Sequence, residues 1–241
     1  MKTMNITSGL LVATLALATT ACSDEDNAIV NPSPETSRVL IVHASPNTPG
    51  VDVFVDDGAA AVTNLQFPDN TGYVQLESGA RNVKANVTGA GLAGAPINAT
   101  LTLAPNTNYT VFAADVIDNI TPLVLVDDLT APAAGFAHVR FVHLSPDAPA
   151  VDIALSTDGS VVFGNVAFKE TSGSTPGAFT PLPAGSYPLD VRVAGTATVA
   201  LDLGTITLEA GKIYTVFARG FLAGDGSALN PALGAEIIVN N

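Results

Sequence analysis

Hydrophobic and polar positions fall into short blocks along this chain, with the composition of β-strands. Residues 38–43, Arg-Val-Leu-Ile-Val-His, are apolar and β-branched. Residues 51–55 alternate as Val-Asp-Val-Phe-Val up to Asp56-Asp57-Gly58, a cluster of turn formers. Strands are predicted again over 73–76, 82–87, 99–103 and 109–114, at roughly the 8–12-residue spacing of all-β domains. In 187–193, Leu189, Val191 and Val193 alternate with Asp190 and Arg192, the period of two that turns one face toward a core. Beyond the N-terminal segment no helical period is sustained.

The pattern occurs twice. Val42-His43-Ala44-Ser45-Pro46-Asn47-Thr48-Pro49-Gly50-Val51-Asp52-Val53 matches Val142-His143-Leu144-Ser145-Pro146-Asp147-Ala148-Pro149-Ala150-Val151-Asp152-Ile153. Tyr109-Thr110-Val111-Phe112-Ala113 matches Tyr214-Thr215-Val216-Phe217-Ala218, and Asn64-Leu65-Gln66-Phe67 matches Asn165-Val166-Ala167-Phe168. Residues 123–128 resemble 236–241, so the second copy is expected to close at the end of the chain, with no sorting tail beyond it. Segments 173–177 and 220–231 are insertions of the second copy, placed in surface loops. The first copy is assigned to residues 38–134 and the second to 135–241. Their linker, 129–135, is short and holds Pro132. It should keep the copies end to end with limited freedom. About seven strands per copy predict an all-β protein of two tandem immunoglobulin-like or transthyretin-like β-sandwiches. The chain has one Cys and no Trp, so the disulfide and core Trp of antibody domains are absent and only the architecture carries over.

Residues 9–18 form an apolar run too short to span a bilayer, which needs about 20 apolar residues. Following Lys2, the run reads as the core of a signal peptide, residues 1–21. Thr19-Thr20-Ala21-Cys22 resembles the lipobox of bacterial lipoproteins, with Thr19 where Leu is commonest. The resemblance implies cleavage before Cys22, a diacylglycerol thioether on its sulfur and acylation of the new amine. The alternative is an ordinary secreted chain with a free thiol. Residues 22–37, with Pro32 and Pro34, read as a flexible tether. Ser23 is not the Asp that often marks inner-membrane retention, and Ser23-Asp24-Glu25-Asp26 looks like the acidic surface-export signals of some bacteria. The outer membrane, with possible surface exposure, is the expected location.

Charge narrows the classes. Among 241 residues, 9 Lys+Arg face 22 Asp+Glu, for a net charge of -13. Removing residues 1–21 takes away only Lys2, which leaves 8 basic residues and a charge of -14. Nucleic acid is excluded as a partner, because phosphates demand a basic surface. A hydrophobic fraction of 47% excludes a disordered acidic tail. One Cys excludes an intrachain disulfide framework and a multi-Cys zinc site.

The two His-x-Ser-Pro segments at 43–53 and 143–153, with 101–113 and 207–218, resemble the DUF4397 family. That family has no known function and often occurs as tandem copies in exported bacterial proteins. The resemblance implies β-sandwiches and an envelope location, and it supplies no active site.

His43, Ser45 and Asp52, repeated as His143, Ser145 and Asp152, have the residue types of a catalytic triad. The competing reading makes them structural. Ser45 and Ser145 precede Pro46 and Pro146, where a hydroxyl caps a turn, and the histidines would pin the loop through Asp or a buried carbonyl. Duplication favours the second reading. Oxygen-rich turns at Asp56-Asp57, Asp115 with Asp118, Asp127-Asp128 and Asp225 raise Ca²⁺, with Asp127 and Asp128 the best pair. None has the spacing of a known calcium loop. His43, His138 and His143 are too few for a transition metal. Tyr109 and Tyr214 read either as sugar-stacking rings or as core-edge tyrosines like a tyrosine corner. The expected protein is therefore a non-enzymatic, lipid-anchored envelope protein that binds a protein or glycan through loops or sheet faces. A carbohydrate- or small-ligand-binding module assisted by Ca²⁺ is the second expectation, and a hydrolase using His143 and Ser145 the third. No other cofactor is expected.

Overall fold

The computed structural model describes residues 34–173 and 175–241. The signal-like segment, Cys22 and the tether as far as residue 33 lie outside the described residues. The first half folds into β1 (Thr36–Ala44), β2 (Val51–Val55), β3 (Ala60–Leu65), β4 (Asn70–Glu77), β5 (Gly79–Val87), β6 (Ile97–Leu103), β7 (Asn108–Ala114) and β8 (Thr121–Asp127). The second half gives β9 (Phe136–His143), β10 (Val151–Leu155), β11 (Val161–Val166), β12 (Thr180–Pro183), β13 (Gly185–Val193), β14 (Val199–Leu208), β15 (Ile213–Arg219) and β16 (Gly234–Val239). Among the described residues there is no α-helix, only a 3₁₀ turn at Ile117–Asn119.

The strands form four four-stranded sheets. Their orders are β4-β1-β7-β8 and β3-β2-β5-β6 in the first half, and β12-β9-β15-β16 and β11-β10-β13-β14 in the second. The protein is all-β, two sandwiches of the same topology. Each has eight strands rather than about seven. β3 adds the extra one: Ala-Ala-Val-Thr-Asn-Leu carries little pattern of its own and is placed by pairing with β2.

The central strands explain their own composition. β1 pairs parallel with β7, and β9 parallel with β15. Strands covered on both faces read as continuous apolar runs instead of alternating ones. Val39 and Ile41 of β1 join Tyr109 and Val111 of β7 in the core between the sheets of the first sandwich. Val139, Phe141, Tyr214 and Val216 do the same in the second. The opposite faces bring Leu40, Val42, Phe112 and Leu125 against Val142, Leu144, Phe217 and Ile238 in a third core.

The two sandwiches therefore pack face to face, not end to end as the short linker suggested. An outward apolar face on β1, β7, β9 and β15 has to be covered, and each sandwich covers the other. Phe112 and Phe217, both fully buried, stack edge-on with ring centroids 5.5 Å apart. Full burial of a Phe stabilises by about 1.5–3 kcal/mol.

Candidate functional site

The duplicated motif lies where β1 and β9 run into their following loops. His43 is fully buried. Its Nε2 donates to the Pro49 carbonyl at 3.1 Å, and its Nδ1 accepts the Ser45 N–H at 3.3 Å. His143 repeats this with the Pro149 carbonyl at 2.9 Å and the Ser145 N–H at 3.3 Å. Both nitrogens of each ring are occupied, which fixes the neutral tautomer with hydrogen on Nε2. Burial holds the pKa of both histidines below the ordinary value. Phe67 and Phe168 pack edge-on against these rings.

The aspartates act elsewhere. Asp52 accepts the N–H groups of Asn64 at 2.8 Å and Gly89 at 2.9 Å. These two bonds, that from Gly89 foremost, hold its carboxyl below the usual carboxylate value. Asp152 accepts from Asn165 at 2.7 Å and Gly195 at 2.8 Å. Asn64 and Asn165 sit at φ 52° and 54°, turns that each carboxylate ties to its strand. Ser45 bonds Thr48 through its hydroxyl, and Ser145 bonds Asp147 at 3.4 Å. Neither hydroxyl bonds a histidine and neither carboxylate orients one. The hydrolase geometry expected of His143 and Ser145 is thus not assembled, because backbone groups hold His143 and Asp152 and the Ser145 hydroxyl turns to Asp147. Pro46 is buried and Pro146 half-buried at the first corner of each loop.

Position 47 and its counterpart 147 escaped the sequence reading. Asn47 Oδ1 accepts the Ile117 N–H at 2.9 Å. The Asp147 carboxylate accepts from Leu222 at 2.6 Å and Ala223 at 3.2 Å. Each ties the motif loop to the segment that follows β7 or β15. In the second sandwich that segment is the inserted loop 220–233. It folds back on itself, with the Phe221 N–H on the Pro231 carbonyl at 2.8 Å. A Cβ at Gly220 would stand 2.3 Å from the Ala232 carbonyl oxygen, and one at Gly224 2.4 Å from that of Pro231, so only glycine fits. The loop presents Leu222, 42% exposed, and Leu229, 63% exposed. Lys169 Nζ lies 2.7 Å from Asp115 Oδ2 across the junction, and Arg219 lies over the Phe67 ring at 5.9 Å. These contacts gather both motif loops at one end of the molecule.

Tyr109 and Tyr214 are buried, and their hydroxyls accept the N–H groups of Ala104 at 2.9 Å and Glu209 at 3.1 Å. Neither offers a ring to a sugar. Among the described residues the exposed aromatic is Phe136.

Asp127 and Asp128 do not share a cation site. Asp127 is sealed in the junction, with Oδ1 2.7 Å from Arg140 Nη1 and Oδ2 accepting from Tyr73 and, at 2.7 Å, from Thr110. Asp128 points out of it and accepts the Thr130 N–H at 2.9 Å. A counter-ion from the other sandwich has taken the better of the two ligands. Of the other acidic turns, Asp56 and Asp57 pair with Arg81 and Lys84, Asp115 pairs with Lys169, and Asp225 accepts the Ser227 N–H. Among the described residues no three His, Cys, Asp or Glu converge as a metal ion would need. His138 is half-buried and joins no such group.

Arg140 is the residue the sequence reading missed most plainly. It is fully buried, donating from Nε to Thr215 at 2.9 Å and from Nη2 to Thr110 at 2.8 Å, above the Phe179 ring. Burial pushes its pKa down, and Asp127 opposes that shift. Thr215 donates to Asn240 at 2.8 Å, and Asn240 donates to Tyr73 at 3.1 Å, which closes a ring of side chains through both sandwiches. A charged residue inside the apolar run Val139-Arg140-Phe141-Val142 was the available signal.

The strand pattern and first motif loop have a counterpart among known families. Residues 37–154 match DUF4397, a domain of unknown function. The DUF4397 match covers the first sandwich and continues through β9 into β10. No curated protein matches the chain. Among solved structures, the C-terminal domain of AlgF from P. aeruginosa is 12% identical, with 44% of this chain and 97% of that one covered and a TM-score of 0.30. A streptococcal virulence factor that binds alpha-glucan is 12% identical over 82% of this chain and 95% of that one, with a TM-score of 0.24. The Bacillus anthracis TIE protein is 12% identical over 77% of this chain and 34% of that one, with a TM-score of 0.23. Likenesses of this size carry no argument about ligand or partner.

Proposed function

We propose that this chain is a lipid-anchored envelope protein whose two sandwiches, each a DUF4397 copy, form a non-catalytic interaction module. The observation that carries the reading is the inserted loop 220–233, which displays Leu222 and Leu229 on a backbone held by Asp147. Exposed leucines on a braced loop suit contact with a protein partner better than solvation does. The repeated strand order and the repeated bonding of His43 and His143 support the second copy. The motif residues support a structural role, because the histidines and aspartates bond backbone groups and the serine hydroxyls bond side chains of their own loops. The only Cys of the chain stands directly after the small residues Thr19-Thr20-Ala21, which supports Cys22 as the lipid attachment site. The anchor and an acidic tether would hold the sandwiches off the membrane surface.

Two measurements test it. Cross-linking on intact cells, followed by recovery of the protein, should yield a partner band that disappears for Leu222→Asp/Leu229→Asp while the melting temperature stays unchanged. A band that survives in the variant removes the loop as the contact. Labelling with a lipid precursor should mark the wild type and not Cys22→Ala. Equal labelling of the two sinks the anchor.

A further inference from the structure

The face through which the sandwiches meet is built twice. Sheet register matches Leu40 to Arg140, Thr110 to Thr215 and Leu125 to Ile238, and carried one residue past the paired strands it matches Tyr73 to Phe179 and Asp127 to Asn240. Phe112 meets its own counterpart, Phe217, in the middle. A surface repeated in this way is close to isologous, differing in shape where the insertion of the second sandwich sets Gly177 beside Leu125, so each face is broadly complementary to another of its kind. Apolar packing alone would let a first sandwich pair with the first sandwich of another chain as well as with its own second one.

Charge breaks this symmetry. Among the described residues two ion pairs cross the face, and in both the cation belongs to the second sandwich and the anion to the first. Arg140 meets Asp127 at 2.7 Å, with both side chains fully buried, and Lys169 meets Asp115 at 2.7 Å. The counterpart positions hold Leu40 for Arg140, Asn240 for Asp127, Pro68 for Lys169 and Gly220 for Asp115. Two first sandwiches brought together would set Asp127 against Leu40, a carboxylate in a dry interface with no counter-ion. Two second sandwiches would set Arg140 against Asn240, a guanidinium equally stranded. An isolated buried charge is strongly disfavoured, whereas a paired one is tolerated.

We propose that Arg140 and Asp127 decide which sandwich pairs with which: each face accepts the other and rejects its own kind, so that like sandwiches of separate chains do not join through it. Polar groups used in this way give up stability for the choice of partner, because a wrong pairing leaves a charge buried without its counter-ion. The need is greatest while the chain folds, when a first sandwich with Leu40, Val42 and Phe112 uncovered could meet the same face on a neighbour.

The test uses the full chain as wild type, Asp127→Asn, Arg140→Leu and the double variant, which gives both faces Leu and Asn at the coding positions. Each protein is unfolded in denaturant and refolded at concentrations approaching the ~1 mM that a short linker provides intramolecularly. Size-exclusion chromatography with light scattering then reads the dimer fraction. Wild type should return as monomer. The double variant should give a several-fold larger dimer fraction, and Asp127→Asn, which lifts the block on first-with-first pairing alone, a smaller rise. The double variant should also melt above both single ones, since it strands no charge. A dimer fraction for the double variant and Asp127→Asn no larger than that of wild type overturns the proposal, as does wild type that itself refolds to dimer.

Discussion

Asp127 of the first sandwich and Arg140 of the second lie 2.7 Å apart, both side chains closed off from solvent. The pair sits beside the third core and shares its ring of hydrogen bonds with Tyr73, Thr110, Thr215 and Asn240. Truncating one member leaves the other charged in a dry site. Arg140→Ala should therefore destabilise by about 3–5 kcal/mol, read as a lower denaturant midpoint. An unchanged midpoint would mean that water reaches Asp127.

Tyr73 donates to Asp127 and accepts from Asn240, so Tyr73→Phe removes two bonds and leaves a buried amide and carboxylate short of a partner. The expected loss is about 1–3 kcal/mol. Burial, with the Asp127 charge next, pushes the Tyr73 phenol far above its ordinary value of 10.0. The unfolded chain ionises this group first, so its stabilising contribution is complete below pH ~10 and is lost as pH rises further. Alkaline melting curves of Tyr73→Phe should lack that part of the decline.

The buried histidines predict the opposite edge. Their folded pKa values lie below the ordinary value of 6.5, so protons bind the unfolded chain more readily. Stability should be complete above pH ~6.5 and fall as pH drops through and below it. A His43→Gln/His143→Gln chain should show a flatter melting profile between pH 7 and 5, though it melts lower throughout. An unaltered slope would assign the titration to other groups.

Asp52→Ala leaves the N–H groups of Asn64 and Gly89 without their acceptor. The cost should be about 1–3 kcal/mol. Because the Asp52 pKa is lowered in the fold, its contribution is present above pH ~3.8 and lost as pH falls through the folded pKa. Asp152→Ala should cost a similar amount in the other sandwich, where it removes the acceptor of Asn165 and Gly195, and the two losses should add, since the sites share no partner.

The alternation in 51–55 and 187–193 and the turn at Asp56-Asp57-Gly58 were enough to read strands, because a half-buried strand writes its period of two into the chain. β3 was not legible: nothing in Ala60-Ala61-Val62 separates an edge strand from a loop until β2 is there to pair with it. The loop-bracing role of Asn47 and Asp147 was equally hidden, since their partners lie 70 and 75 residues away.

By itself the sequence determined the all-β class and the repeated pattern, because strand periodicity and turn chemistry are local. Only the tertiary structure decided that the sandwiches stack face to face, that Arg140 neutralises Asp127, and that the motif histidines are spent on the Pro49 and Pro149 carbonyls. An apolar run such as 109–114 records that both its faces are buried, but not what covers the second one, and charges on strands of different sandwiches acquire partners only when the sheets close on each other.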